Sequence, residues 1–159
     1  MSEVSILRFS PEFAGDFARL NYEWIEKYFS VERHDREILD DPQKWVIDPG
    51  GEILMAALDG KAVGTVALIP VGDGVLELTK MAVSPAHQGH GIGDKLMIAA
   101  IEHATSTGST TIFLETHHKL APAIALYHKH GFRDVSADPN SQYSRADVRM
   151  ELAIARPTR

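Results

Sequence analysis

The chain has 159 residues, no cysteine, a formal charge of −6, and 44% hydrophobic against 24% charged residues, which is the profile of one compact domain, residues 1–159, with a core of its own. The lack of Cys removes thiol nucleophiles, thiolate zinc sites and iron–sulfur clusters and fits a reducing compartment, so a cytoplasmic protein is expected. Negative charge without a Lys/Arg block argues against a nucleic-acid partner, and neither the start MSEVSILRFS nor any later run approaches the ~20 apolar residues of a membrane span, so no export leader and no insertion are expected.

Val4–Phe9 alternates as a first strand, and Ser10-Pro11-Glu12 reads as a helix start with Ser10 as cap. Phe13, Phe17, Leu20, Trp24 and Tyr28 then recur at three- and four-residue steps. Two readings are open for this stripe: core throughout, or core with Trp24, Tyr28 and Phe29 lining a pocket. A short helix is expected over Arg33–Leu39. From Lys44 to Val83 the pattern becomes strands, at Trp45–Ile47, Glu52–Leu58, Ala62–Pro70 and Val75–Val83, separated by Gly-containing turns; Asp59-Gly60 suits a two-residue hairpin, so the middle of the chain is an antiparallel meander. Helix over Gly91–Thr107, strand over Thr110–Glu115, helix over Ala121–His130 ending at Gly131, and a last strand near Arg145–Ile154 complete the order. Arg156–Arg159 reads as a frayed tail.

The segment from Glu77 to Met97 carries the chemistry. A strand ends at Val83, Pro85 bends the chain, and Gly89, Gly91 and Gly93 alternate with His90 and Ile92 before a helix begins. Unpaired N–H groups at a helix start, unobstructed by side chains, form an anion cradle suited to a pyrophosphate. No Gly-Lys-Ser/Thr occurs, which excludes a Walker A loop. The third glycine comes one residue too early for the dinucleotide fingerprint, and the preceding strand belongs to a meander. A glycine-rich turn without ligand remains the alternative.

Gln88-Gly-His-Gly-Ile-Gly93, following Met81-Ala-Val83, resembles the Gln/Arg-x-x-Gly-x-Gly/Ala loop of the GNAT superfamily of acyl-CoA-dependent N-acyltransferases. Ala123-Ile-Ala-Leu-Tyr-His-Lys-His-Gly-Phe132 resembles that family's downstream Ala-Ile-x-Leu-Tyr-x-x-x-Gly-Phe segment. The resemblance implies an α/β fold: a mixed, mostly antiparallel central sheet flanked by helices and splayed between the fourth and fifth strands. It implies acetyl transfer from acetyl-CoA to a primary amine, here a small molecule, by direct attack in a ternary complex, and it allows a homodimer. Met81, Ala82 and Val83 would align the pantetheine arm by main-chain pairing. Gln88, Gly89, His90, Gly91, Ile92, Gly93 and Asp94 would hold the pyrophosphate, with the Asp94 carboxylate turned outward and the Gln88 side chain adding a bond.

Tyr127 matches the tyrosine that protonates the leaving thiolate; the alternative is a packing residue beside Leu126 and Phe132. Glu77, six residues before Val83 and read on the same alternating face, matches the position of a glutamate base. Raised proton affinity or a water relay is then needed to deprotonate an amine. A surface carboxylate or an ion pair with Lys80 is the competing reading, and Glu115 is a second candidate base. Leu120 stands where many relatives carry Asn. His117 and His118 are candidate acceptor-pocket residues. His87-x-x-His90 and His128-x-His130 lack the spacing of a metal site, so none is expected. A noncatalytic acyl-CoA sensor, another acyl group or a protein amine are the alternatives to small-molecule acetylation.

Overall fold

The computed structural model describes residues 3–154. Its centre is a seven-stranded sheet in the order β1-β2-β3-β4-β5-β7-β6. Strands β1 (Ser5–Arg8), β2 (Glu52–Leu58), β3 (Lys61–Gly72) and β4 (Val75–Val83) form an antiparallel meander. Asp59 and Gly60, at φ 52° and 77°, make the expected hairpin turn. β5 (Thr111–Thr116) runs parallel to β4, and β7 (Val148–Ala153) and β6 (Arg133–Val135) add antiparallel strands beyond it.

Both faces of the sheet are covered, which is why β2 and β3 read as nearly continuous apolar runs. On one face Leu96, Met97 and Ala100 of α3 (Ile92–Ser106) pack with Leu54, Val66 and Ile112. On the other, Phe17, Leu20 and Ile25 of α1 (Ala14–Tyr28) and Ile38 and Leu39 of α2 (Arg33–Asp40) pack with Ile53, Met55 and Ala67. A fourth helix, α4 (Ala121–Lys129), lies beside the start of α3, where the missing side chain of Gly93 admits Leu126: a Cβ there would stand 3.2 Å from its Cδ2.

Four local expectations are corrected. Trp45–Ile47 is not a strand but part of a π-helical turn, Gln43–Ile47, that buries Val46; three apolar residues in a row fit either geometry. Ser10 does not cap the first helix. Its hydroxyl bonds the Glu12 carboxylate, and a 3-10 turn over Pro11–Phe13 precedes α1. The buried stripe of α1 takes in Asn21 and Ile25 as well as Phe17 and Leu20, whereas Trp24 and Tyr28 are only half-buried. β6, too polar to be read as a strand, pairs along β7 at the sheet edge. The tail from Arg156 lies outside the described residues.

Candidate active site

β4 and β5 pair at only three positions, Val75–Thr111, Leu76–Ile112 and Glu77–Phe113. Beyond Glu77 they part, as expected for a sheet splayed between its fourth and fifth strands, and the wedge between them is a pocket closed on one side by α1 and on another by Tyr143 and Arg145. The flank of β4 past Glu77 thus has β3 on one side and open space on the other.

A bulge shapes that strand. Thr79 pairs with Ala67 and Ala82 with Thr65, so two residues, Lys80 and Met81, oppose one on β3, and Lys80 takes φ 54°. The extra residue reverses the alternation. Leu76 and Leu78 lie in the α3-side core and so do Met81 and Val83, while Ala82 packs on the α1 side. Glu77 and Val83 therefore occupy opposite faces, contrary to the unbroken alternation expected from the sequence. Glu77 shares the α1 face with Thr79 and Lys80, all three lining the pocket.

The Glu77 carboxyl accepts no hydrogen bond from the described residues and is pushed up to about 7. Burial is the main cause; the Lys80 and Arg149 charges oppose it and the neighbouring Glu115 carboxylate adds to it. Lys80 does not pair with Glu77. Its ammonium, buried, bonds Asp35 Oδ1 at 2.7 Å and the Tyr143 hydroxyl at 2.8 Å. Arg145 adds two bonds to the same carboxylate, Nη1 to Oδ2 at 2.8 Å and Nη2 to Oδ1 at 2.7 Å, and the Glu32 N–H a further one at 2.8 Å. Burial pushes Asp35 up, but the Arg145 hydrogen bonds and the Lys80 charge outweigh it and hold this carboxyl well below the usual range. The cluster was invisible in the sequence, because its members come from α2, β4 and the segment before β7.

Tyr127 also lines the pocket, with its ring 6.1 Å from Phe132 in an edge-on contact. Burial alone raises its hydroxyl to about 12. Next to it stands the start of α3. Gly91, at φ 79°, is the last residue before the helix and has no side chain to cap it, and the first intrahelical bond runs from the Lys95 N–H to the Gly91 carbonyl. The N–H groups of Ile92, Gly93 and Asp94 are therefore left without a partner within the helix. The Ile92 side chain is buried in the core, so only its backbone can meet a ligand, while Gly89, His90 and Gly91 are exposed. Gln88 Nε2 donates to the Val83 carbonyl at 3.1 Å and staples the loop to the end of β4. Asp94, near the surface, turns its carboxylate toward the end of α4. It reaches across to Lys129 Nζ at 2.9 Å and His130 Nε2 at 2.8 Å, and these partners hold its carboxyl below the usual range. Both partners sit at the C-terminal end of α4, and the Lys129 ammonium offsets the carboxylate beside the anion cradle locally.

At the outer end of the pocket, Trp24, Phe29 and His117 form an aromatic wall, with Phe29 and His117 edge to face at 5.5 Å. Tyr28 stands behind Trp24, 5.4 Å between centroids, outside the lining. Leu120 and Glu115 also line the pocket. His117, His118 and Asp147 converge at the rim: His118 Nδ1 pairs closely with Asp147 Oδ2, and His117 Nε2 is 3.7 Å from the same oxygen. The Lys119 N–H donates to His117 Nδ1, which leaves the proton of neutral His117 on Nε2, the atom that would have to ligate. That is the reverse of the arrangement in which a metal-bound imidazole donates through its other nitrogen.

Comparison with known proteins agrees with this geometry. The model of the acetyltransferase (GNAT) family matches residues 18–132. The chain is 29% identical over 145 residues to a mycothiol acetyltransferase of Clavibacter sepedonicus, covering 90% of this chain and 46% of that protein, so it spans about half the length of that relative. It is 28% identical over 149 residues to an uncharacterised N-acetyltransferase of Schizosaccharomyces pombe, covering 87% of this chain and 90% of the other. Among solved structures, a GNAT-family acetyltransferase from Staphylococcus aureus superposes with a TM-score of 0.87 at 19% identity, covering 96% of this chain and 100% of that one. The PaiA N-acetyltransferase from Thermoplasma acidophilum, solved in complex with coenzyme A, gives 0.73 at 19% identity over 95% and 99%. A wedge between the fourth and fifth strands, an uncapped helix behind a glycine loop, and a family match across most of the sequence lead to one conclusion: the chain belongs to the GNAT family of acetyltransferases, which draw their acetyl group from acetyl-CoA.

Proposed function

We propose that this protein acetylates the primary amine of a small molecule by direct attack on acetyl-CoA, with Glu77 as general base and Tyr127 as general acid. The observation that carries the reading is that Glu77 and Tyr127 line one pocket, beside the open flank of β4 that a strand-like pantetheine arm would occupy. The N–H groups of residues 92–94, with the turn at Gly89–Gly91, suit the pyrophosphate.

The proton balance assigns the work. An alkylammonium must lose two protons as the C–N bond forms and the C–S bond breaks; one leaves to solvent and one ends on the thiol. Glu77 takes the first, and its affinity near 7 brings it far closer to an amine at ~10.4 than an ordinary carboxylate at ~4.3. Tyr127 delivers the proton for sulfur. With its hydroxyl at about 12, protonating a thiolate of ordinary affinity, ~8.5, costs about 5 kcal/mol. The same dry surroundings raise the proton affinity of the thiolate and narrow that gap.

Thiol release from acetyl-CoA across a panel of amines tests the reading. Glu77→Gln and Tyr127→Phe should each lower kcat by about 10²–10⁴, with acetyl-CoA affinity by calorimetry changed less than about twofold. Full turnover in either variant would remove that residue from the mechanism.

A further inference from the structure

Asn21 is 1% exposed, lies on α1, and lines the pocket. Its amide nitrogen donates to the Phe17 carbonyl at 3.0 Å, four residues back in the same helix. Only the nitrogen can serve that carbonyl, so the amide orientation is fixed and Oδ1 is left facing the cavity, where the described residues supply it no donor. Oδ1 is not sealed off, His87 Nδ1 being the atom among the described residues that is both buried and unpartnered, so its donor comes from whatever occupies the pocket. Glu77 opens onto the same cavity, also without a donor. With Glu77 ionised, as a base must be, both offer acceptor oxygens to the pocket, and these suit a group with several N–H bonds.

The rest of the lining restricts what may be attached to that group. The two cations of the pocket are already compensated, Lys80 by Asp35 and Arg145 by Asp35 and Glu32, so the lining holds no unmatched positive charge for a substrate carboxylate. A carboxylate on the amine-bearing carbon would meet the oxygens of Glu77 and Asn21 instead. Further out the wall is Trp24, Phe29 and Leu120. One face of Phe29 already meets a cation: Lys119 Nζ stands 4.1 Å from its ring centroid and donates to the Tyr28 carbonyl at 2.8 Å. A second ammonium on the substrate would approach that cation across an apolar wall. Like-charge contacts of this kind select against a ligand as effectively as good contacts select for one.

We infer that the acceptor is a primary monoamine on an apolar alkyl or arylalkyl body, with no carboxylate on the amine-bearing carbon, and that Asn21 Oδ1 takes one of its N–H bonds. Trp24 and Phe29 hold the body. This inference rests on the proposed amine acetylation and narrows it to a class, excluding α-amino acids and polyamines as preferred acceptors.

Two matched pairs of amines test it on the unaltered protein. Between 2-phenylethylamine and phenylalanine only the α-carboxylate differs, and kcat/KM should favour the former by at least about 100-fold. Between hexylamine and 1,6-diaminohexane only the second ammonium differs, and hexylamine should lead by at least about tenfold. Asn21→Leu should raise the KM for hexylamine about tenfold while leaving the KM for acetyl-CoA unchanged. Equal or reversed preference within either pair overturns the inference. Acetyl-CoA binding by calorimetry with no turnover of hexylamine or 2-phenylethylamine overturns it too but leaves the donor site standing, whereas absence of acetyl-CoA binding sinks the proposed function itself.

Discussion

As the proposed base, Glu77 is held under opposing demands: proton abstraction needs its anion, and its surroundings favour the neutral acid. Two pH effects of opposite sign follow. The acid limb of kcat/KM should fall near pH 7 rather than near 4.5, because the base works only when ionised. Stability runs the other way. A carboxyl raised in the fold from 4.5 to about 7 contributes stability that is complete below its unfolded value and lost as pH rises through 7, about 3 kcal/mol by pH 8. Glu77→Gln cannot ionise, so its Tm relative to the parent should climb by several degrees between pH 5 and pH 8, measured by thermal unfolding at both. Glu77 and Tyr127 were legible in the sequence because each sits in a local motif. Asn21 was not: a single Asn inside an amphipathic helix carries no signal until the wedge that it faces exists. Asp35 and Lys80 were hidden for a related reason, being separated by 45 residues.

The element that matters most for the donor is the turn into α3. Gly91 at φ 79° needs the left-handed region, yet a Cβ there would meet nothing within 4 Å. The cost of Gly91→Ala is therefore backbone strain alone, about 1–2 kcal/mol. It should lower Tm by roughly 3–6 °C and weaken acetyl-CoA binding by calorimetry more than it weakens amine binding. At this scale most of the architecture could be read from the chain, since strands bounded by Gly turns and helices with a four-residue period announce themselves. The bulge at Lys80 could not, because Glu77–Val83 alternates acceptably in either register and only the pairing with Ala67 and Thr65 reveals the added residue. That one residue decides which face Glu77 serves. The π-helical turn over Gln43–Ile47 escaped for the opposite reason, its three apolar residues matching a strand as well as a turn.

In the molecule as a whole, the Asp35 carboxylate joins α2, the bulge of β4 and the segment before β7. Removing its charge by Asp35→Leu leaves the Lys80 ammonium buried and uncompensated, which should cost about 3–5 kcal/mol in urea denaturation. Adding Lys80→Met should return a large part of that loss, since the unmatched cation goes with it. Asp35 is held below the ordinary carboxylate range, so its contribution is present above its unfolded value near ~3.9 and disappears as acid protonates it. The wedge has a mechanical meaning of its own. With three paired positions joining β4 to β5, the sheet is two halves on a short seam that ends at Glu77. A thioester substrate lying along the open flank would knit the halves together, so amide hydrogen exchange should slow most in β4 and β5 on its binding while β2, already bonded on both sides, keeps its pace. The Glu77 carboxylate would then sit at the sewn end of the wedge, where the two halves are joined before the donor arrives.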